Sequence, residues 1–248
     1  MTVAHRTQPG RDLPPAVLFD LDDTIFDHAL TSRAALARVR SGSAYLRRLP
    51  LDRIWREYGR LLEEAQPDVL SGRITVDASR IERFRRLAAL AGEIIPASTA
   101  GELSRAYRAE YLLQRRAVPG ARRLLQRLHG RTAIGVVTNN AQAEQTQKLA
   151  YLGLSGLVDE LVVSEAVGIA KPDPRIFQLA LRRVGAGPAE AVMVGDSWAN
   201  DVRGARAAGI RAIWFNRFGA TAPEPVPVAQ LSSYRAPARA ERLLRATD

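Results

Sequence analysis

Asp20 and Asp22 stand two residues apart at the end of a short apolar run, in Ala16-Val17-Leu18-Phe19-Asp20-Leu21-Asp22-Asp23-Thr24. In an extended chain, residues i and i+2 point to the same side, so both carboxylates face one site while Leu21 faces the core. Comparable runs end in Val137-Thr138-Asn139-Asn140 and in Val194-Gly195-Asp196-Ser197, with Asn200 and Asp201 just beyond. On a parallel sheet the carboxyl ends of the strands open onto a common crevice. That crevice would gather up to four carboxylates: Asp20, Asp22, Asp196 and Asp201. Two such charges about 4 Å apart repel by roughly 4 kcal/mol at an effective dielectric of about 20, so the cluster demands a cation. Oxygen donors without histidine or cysteine suit Mg²⁺, which retains waters and bridges to phosphate oxygens. Lys171, in Ala170-Lys171-Pro172-Asp173-Pro174, adds a compact positive charge suited to a phosphoryl group. Lys148 and Lys171 are the only lysines among 36 basic residues. Lys171 follows a strand end, whereas Lys148 reads as an incidental lysine. Any one of these acids could be a turn or helix-cap residue; the four together with Thr138 and Lys171 point to a site.

Five apolar runs read as buried strands: Ala16 to Phe19, Ala133 to Val137, Leu161 to Val163, Ala191 to Val194 and Ala212 to Phe215. From about residue 118 they alternate with helical stretches, the pattern of βαβ units on a parallel sheet. The spacing predicts an α/β fold, a Rossmann-like parallel sheet with helices on both faces. More than 100 residues separate the first two strands, and they show only helical periodicity, broken near Pro50, Pro67 to Gly72 and Gly92 to Pro96. One crossover needs one helix, not four. Residues 28–113 therefore read as an inserted helical domain, with 13–27 and 114–248 forming a discontinuous core domain. Residues 1–12 read as disordered, and the proline-rich 222–227 leads to a short final helix near Ala238 to Arg245.

The absence of cysteine excludes disulfides, zinc-thiolate sites and cysteine nucleophiles, and three scattered histidines argue against a histidine-based metal centre. A hydrophobic fraction of 46% with 25% charged residues is that of an ordinary globular protein. No apolar run approaches the length of a membrane span, and the first 15 residues lack the apolar centre of a secretory signal. The expectation is a cytoplasmic protein without a membrane partner. The net charge of +10 could suit nucleic acid, but the arginines alternate with glutamates on helical stretches and lack interleaved aromatics, which argues against that partner. A small anionic substrate would be attracted by the same field.

The order Asp-x-Asp-x-Thr at 20–24, Thr-Asn at 138–139, Lys-Pro-Asp-Pro-x-x-Phe at 171–177 and Gly-Asp-Ser-x-x-Asn-Asp at 195–201 resembles the four motifs of the haloacid dehalogenase-like hydrolase superfamily. The insert resembles that family's small helical cap, placed directly after the first motif. The resemblance implies that Asp20 is the nucleophile and Asp22 the general acid and base. It implies that Thr138 and Asn139 contact the phosphoryl group, with Lys171 neutralising charge on it and on Asp20. Mg²⁺ would be held by Asp20, Asp196 and the backbone carbonyl of Asp22, with Asp201 in support. The implied activity is Mg-dependent phosphohydrolysis of a small phosphate monoester through an aspartyl-phosphate, by a monomer or homodimer. Dehalogenases of the superfamily lack the second aspartate, so Asp22 argues against dehalogenation. The mutases carry glycine and valine where this chain has Asp23-Thr24, which favours hydrolysis; a phosphotransferase or mutase, or a binding protein that has lost catalysis, are the other readings. Gly72-Arg73-Ile74-Thr75, Arg83-Phe84 and Trp214-Phe215-Asn216 look similar to the nucleotidase and acylneuraminate-phosphatase branch, which implies a nucleotide or sugar phosphate as substrate.

Overall fold

The computed structural model describes residues 13–225 and 227–245, so the expectation of disorder at 1–12 lies outside the described residues. Its contacts divide the chain into two compact units, one comprising residues 1–27 and 117–248 and the other His28–Arg116. The second unit thus runs three residues beyond the boundary drawn from the sequence.

Among the described residues, the first unit is built on six parallel strands: β1 (Ala16–Phe19), β2 (Ala133–Thr138), β3 (Glu160–Val163), β4 (Ala191–Gly195), β5 (Arg211–Phe215) and β6 (Ala229–Leu231), in the order β3-β2-β1-β4-β5-β6. The chain leaves β1 for β2 and β3 on one side and later takes up β4 to β6 on the other. β1 is therefore the point where the strand order reverses, and a crevice opens at its carboxyl end. β1 and β4 are buried along their whole length, as strands covered on both faces must be. Ala16, Leu18, Ala191 and Met193 form one continuous core with Ile176 and Phe177 of the helix Pro174–Val184 and with Trp198, Val202 and Ala205. The alternate residues Val17, Phe19, Val192 and Val194 face the opposite way and are equally buried.

β6 is a strand that the sequence reading lacks. It has three residues, of which only Leu231 is buried, and it follows the proline-rich stretch, so neither length nor periodicity announces it. It extends the sheet along β5 and leads to Tyr234, whose ring stacks on Phe215 at 4.2 Å between centroids.

The second unit contains α1 (His28–Gly42), α2 (Leu51–Leu70), α3 (Val76–Leu90) and α4 (Ala97–Leu113). Its core is aromatic: Tyr58, Phe84, Tyr107 and Tyr111 meet with centroids 4.9 to 5.8 Å apart, and the buried Arg83 guanidinium lies 4.5 Å over the Tyr58 ring. α2 continues through Pro67 to Leu70 rather than stopping at the proline. Pro67 falls in its last turn, where only one intrahelical hydrogen bond is forgone. The break lies at Ser71 to Ile74, and Thr75 then caps α3 by accepting the Ala78 N–H at 3.1 Å.

The first unit also holds α5 (Ala121–Leu128), α6 (Gln142–Tyr151), α7 (Ser164–Val167), α8 (Pro174–Val184), α9 (Arg203–Ala207) and α10 (Pro237–Arg245). A single π-helical turn, Trp198–Val202, separates β4 from α9.

Candidate active site

β1 delivers Asp20. The Asp20 N–H continues the sheet pairing to the Val194 carbonyl at 2.9 Å, which fixes the carboxylate beside the end of β4. The chain then turns. Asp23 adopts φ of 60°, a left-handed conformation that aspartate tolerates at some cost. It is stabilised by a hydrogen bond from the Asp23 N–H to the Phe26 carbonyl at 2.7 Å. Arg217, from the loop after β5, donates to both carboxylate oxygens of the buried Asp27 at 3.2 and 3.1 Å, bracing the far side of this turn.

Lys171 reaches the same point from the loop before α8. Its ammonium lies 2.6 Å from Asp20 Oδ1 and 2.6 Å from Asp201 Oδ1, with the lysine only 5% exposed. Asn139, at the end of β2, grips the peptide of Lys171 twice, donating from Nδ2 to the Lys171 carbonyl and accepting the Lys171 N–H, both at 2.8 Å. The Asn139 amide is thus engaged as a brace for the lysine rather than turned to an open crevice. Asp201 sits on the π-helical turn with its second oxygen accepting the Ser197 N–H at 2.9 Å. Gly195 makes this possible: a Cβ there would lie 2.4 Å from the Asp201 Cβ, Cγ and Oδ2. Asp196 is held by its backbone, its N–H donating to Thr24 Oγ1 at 3.1 Å and its carbonyl accepting from Trp214 Nε1 at 2.8 Å.

One carboxylate oxygen from each of Asp20, Asp196 and Asp201 lies within 4.8 Å of the others. Burial raises the Asp20 carboxyl to about 7, with Asp201 and Asp22 adding to the rise against the opposing pull of Lys171. Burial and the charges of Asp20, Asp201 and Asp23 hold Asp196 well above the usual carboxylate range. Lys171 stays above its ordinary value, because Asp20 and Asp201 outweigh the opposing effect of its burial. Three carboxylates and one ammonium leave a buried excess of negative charge. A hard divalent cation would discharge it, and the donor set, all oxygen, fits Mg²⁺. Among the three, Asp201 already spends one oxygen on Lys171 and the other on Ser197, which suits it to support more than to direct ligation.

Asp22 faces a second cation. Lys148 Nζ lies 2.6 and 2.8 Å from its two carboxylate oxygens, and Gln145 Nε2 donates to Asp22 Oδ2 at 3.1 Å and to Thr138 Oγ1 at 2.6 Å. Gln145, Asp27 and Arg217 are not among the residues picked out from the sequence, and Lys148, which reads there as incidental, is engaged with Asp22. For Lys148 a signal was available: in a chain with two lysines, the scarcity that singled out Lys171 applies equally to its companion. In the second unit Arg33 is paired with Asp52 at 2.6 Å and Arg73 with Asp68.

A family model for haloacid dehalogenase-like hydrolases matches residues 14–209. The chain belongs to that family. It is 47% identical over 85 residues to a phosphoserine phosphatase of Thermus thermophilus, a match that covers 34% of this chain and about a third of that relative's length. It is 30% identical over 204 residues to a ribulose-1,5-bisphosphate 5-phosphatase of Halopiger xanaduensis, covering 81% of this chain and 84% of the relative. Among solved structures, the HAD-hydrolase YfnB of Bacillus subtilis, bound to magnesium, superposes with a TM-score of 0.73 over 94% of this chain and 99% of that one. At 23% identity that likeness is one of fold. Among the described residues, no helix is long and apolar enough to cross a membrane.

Proposed function

We propose that this protein is a Mg-dependent phosphohydrolase that takes the phosphoryl group of a small phosphate monoester onto Asp20 and releases it to water. The observation that carries the proposal is the Lys171 ammonium held 2.6 Å from both Asp20 and Asp201, beside Asp196, at the switch point of a parallel sheet. Phosphoryl transfer requires in-line positioning and neutralised charge more than elaborate covalent chemistry, and this arrangement supplies both. A bound Mg²⁺, held by the carboxylates of Asp20 and Asp196 and the backbone carbonyl of Asp22, would supply the remaining positive charge at the phosphoryl oxygens.

The chain's own residues account for the rest. Lys171 opposes the effect of burial on the Asp20 carboxyl and so favours the anionic form that a nucleophile needs. An Asp20 oxygen bonds to phosphorus while the bond from phosphorus to the ester oxygen breaks, and Asp22, having first taken up a proton from solvent, gives it to that leaving oxygen. Asp22 then takes a proton from water as the water oxygen attacks phosphorus, freeing phosphate and restoring Asp20. Gln145 uses its N–H on Thr138 Oγ1. The donor end of the amide is fixed because the same nitrogen also meets the acceptor-only Asp22 carboxylate. The Thr138 hydroxyl proton is thereby left for a phosphoryl oxygen.

The substrate we propose is a nucleotide or sugar phosphate, with the His28–Arg116 unit as the cap that selects the leaving group. Its relative from Halopiger, named for a sugar bisphosphate, supports that class. Phosphate release from a panel of nucleotide, sugar and aryl phosphates tests the reading. Turnover should require Mg²⁺, vanish with excess chelator, and fall at least about 10³-fold in Asp20→Asn. Full turnover in chelator, or wild-type turnover by Asp20→Asn, would overturn it.

A further inference from the structure

Lys148 is as deeply buried as Lys171, with 3% of its side chain exposed, yet it touches neither Asp20 nor the Asp196 loop in any contact described above. Its ammonium meets both oxygens of Asp22 and lies 5.0 Å from the centroid of the Phe26 ring, on the turn that follows Asp22. Gln145, three residues earlier and on the same face of α6, donates to the same carboxylate and to Thr138. The two N–H bonds of the Gln145 amide are thus both spent, and its Oε1 is buried without a partner. Leaving an amide oxygen buried without a partner carries a desolvation cost. The amide keeps its orientation against that cost because a carboxylate and a threonine oxygen hold the nitrogen end. The rest of the helix's polar surface is ordinary: Thr146 and Gln147 are exposed. α6 therefore brings one cation, Lys148, and one amide, Gln145, to Asp22.

We propose that Lys148, assisted by Gln145, is a positioning residue for proton transfer: it fixes the Asp22 carboxylate in the place from which Asp22 serves the leaving oxygen, as Lys171 fixes Asp20 for attack. On this account the chain's two lysines divide the first motif between them, one for each aspartate. The inference rests on the proposed function, in that Asp22 is taken as the acid and base.

Leaving-group dependence separates this role from a merely structural one. An alkyl phosphate needs its leaving oxygen protonated, whereas p-nitrophenyl phosphate expels a stable phenolate and depends little on the acid. kcat/KM reports the steps up to that bond cleavage. Since acid–base assistance is worth about 10² to 10⁴ in rate, Lys148→Met should lower kcat/KM for an alkyl phosphate at least about 30-fold and that for p-nitrophenyl phosphate about threefold, shifting their ratio about tenfold or more. Gln147→Ala, at an exposed position of the same helix, should leave both values unchanged. Lys148→Arg keeps the charge and Lys148→Met more nearly keeps the shape, so the arginine variant should retain more alkyl phosphatase activity than the methionine variant. An equal loss on both substrates, an unmoved ratio in a folded Lys148→Met, or a methionine variant at least as active as the arginine one would overturn the inference. If Lys148→Met fails to fold, the ratio in Lys148→Arg decides: it should lie within about threefold of wild type, and a tenfold shift would overturn the role assigned to the charge. Absence of any phosphatase turnover by the wild-type protein would instead overturn the functional reading beneath it.

Discussion

The tightest steric constraint in the site belongs to a residue with no side chain. Gly195 ends β4 against Asp201, so a methyl group there would fall 2.4 Å from three atoms of that side chain, Cβ, Cγ and Oδ2. The Asp201 side chain cannot yield easily, since it is buried and bonded at both oxygens to Lys171 and Ser197. Gly195→Ala should therefore displace Asp201, loosen Lys171 and reduce phosphatase kcat/KM by about tenfold or more. The strand itself should persist, because alanine is compatible with extended backbone, so circular dichroism near that of wild type combined with full activity would contradict the constraint. Much of this site is legible in the sequence because aspartate, threonine and lysine at strand ends have few structural uses in combination. Asp20, Thr138, Lys171, Asp196 and Asp201 can all be picked out that way. Gln145 cannot, because it lies mid-helix, where polar residues usually face solvent, and only the packing of α6 turns it inward; Lys148 is marked by the rarity of lysine alone, since its mid-helix place gives no sign of its partner. Asn139 is legible as a site residue, but its bonds to the Lys171 peptide emerge only from the fold.

At the scale of elements, the least legible part of the chain is the end of the first unit. The tract from Asn216 to Tyr234 carries no clear periodicity, yet β6 closes the edge of the sheet and α10 then docks on α5. That docking centres on Glu241, which accepts from Arg127 at 2.9 and 2.6 Å, lies 2.9 Å from Arg131, and is also held by Arg245 one turn later. Burial alone would raise this carboxyl, but the hydrogen bonds from Arg245, Arg127 and Arg131 prevail and hold it at about 2, against an ordinary 4.5. A carboxyl depressed on folding stabilises the fold above its unfolded value, and that stability is lost as pH falls toward its folded value. Glu241→Gln should therefore cost stability at neutral pH, on the order of 1 to 2 kcal/mol once the partial exposure of the arginines is discounted. The difference in melting temperature between wild type and variant should be complete above about pH 5 and shrink between pH 4.5 and 2. A difference that instead widened on acidification would assign the stability of α10 to another group.

At the scale of the whole molecule, charge is divided unevenly between the two units. Residues 28–116 contain 17 arginines and 10 acidic residues, so this unit accounts for most of the net charge of +10. Several of those arginines are paired within it, among them Arg60 with Glu57 and Glu64, Arg86 with Glu64, and Arg85 with Glu82. Pairing of this kind contributes little to stability at an exposed surface, but it does not remove the excess of positive charge, which acts at long range on any anion that approaches. A phosphate monoester carries up to two negative charges, so the field should favour its encounter and its binding while leaving the chemical step alone. The Debye length is about 30 Å at 0.01 M salt and about 10 Å at 0.1 M, so raising the salt across that range should lower kcat/KM for phosphate esters severalfold with little change in kcat. Reversing two exposed positions of this unit, Arg38→Glu with Arg53→Glu, would remove four units of positive charge without touching the residues assigned to catalysis. The double variant should show a lower kcat/KM at low salt, a flatter dependence on ionic strength, and convergence with wild type at high salt. If the salt dependence keeps its full slope in the double variant, the attraction comes from the first unit's own site, and the charge on the helical unit plays no part in gathering substrate.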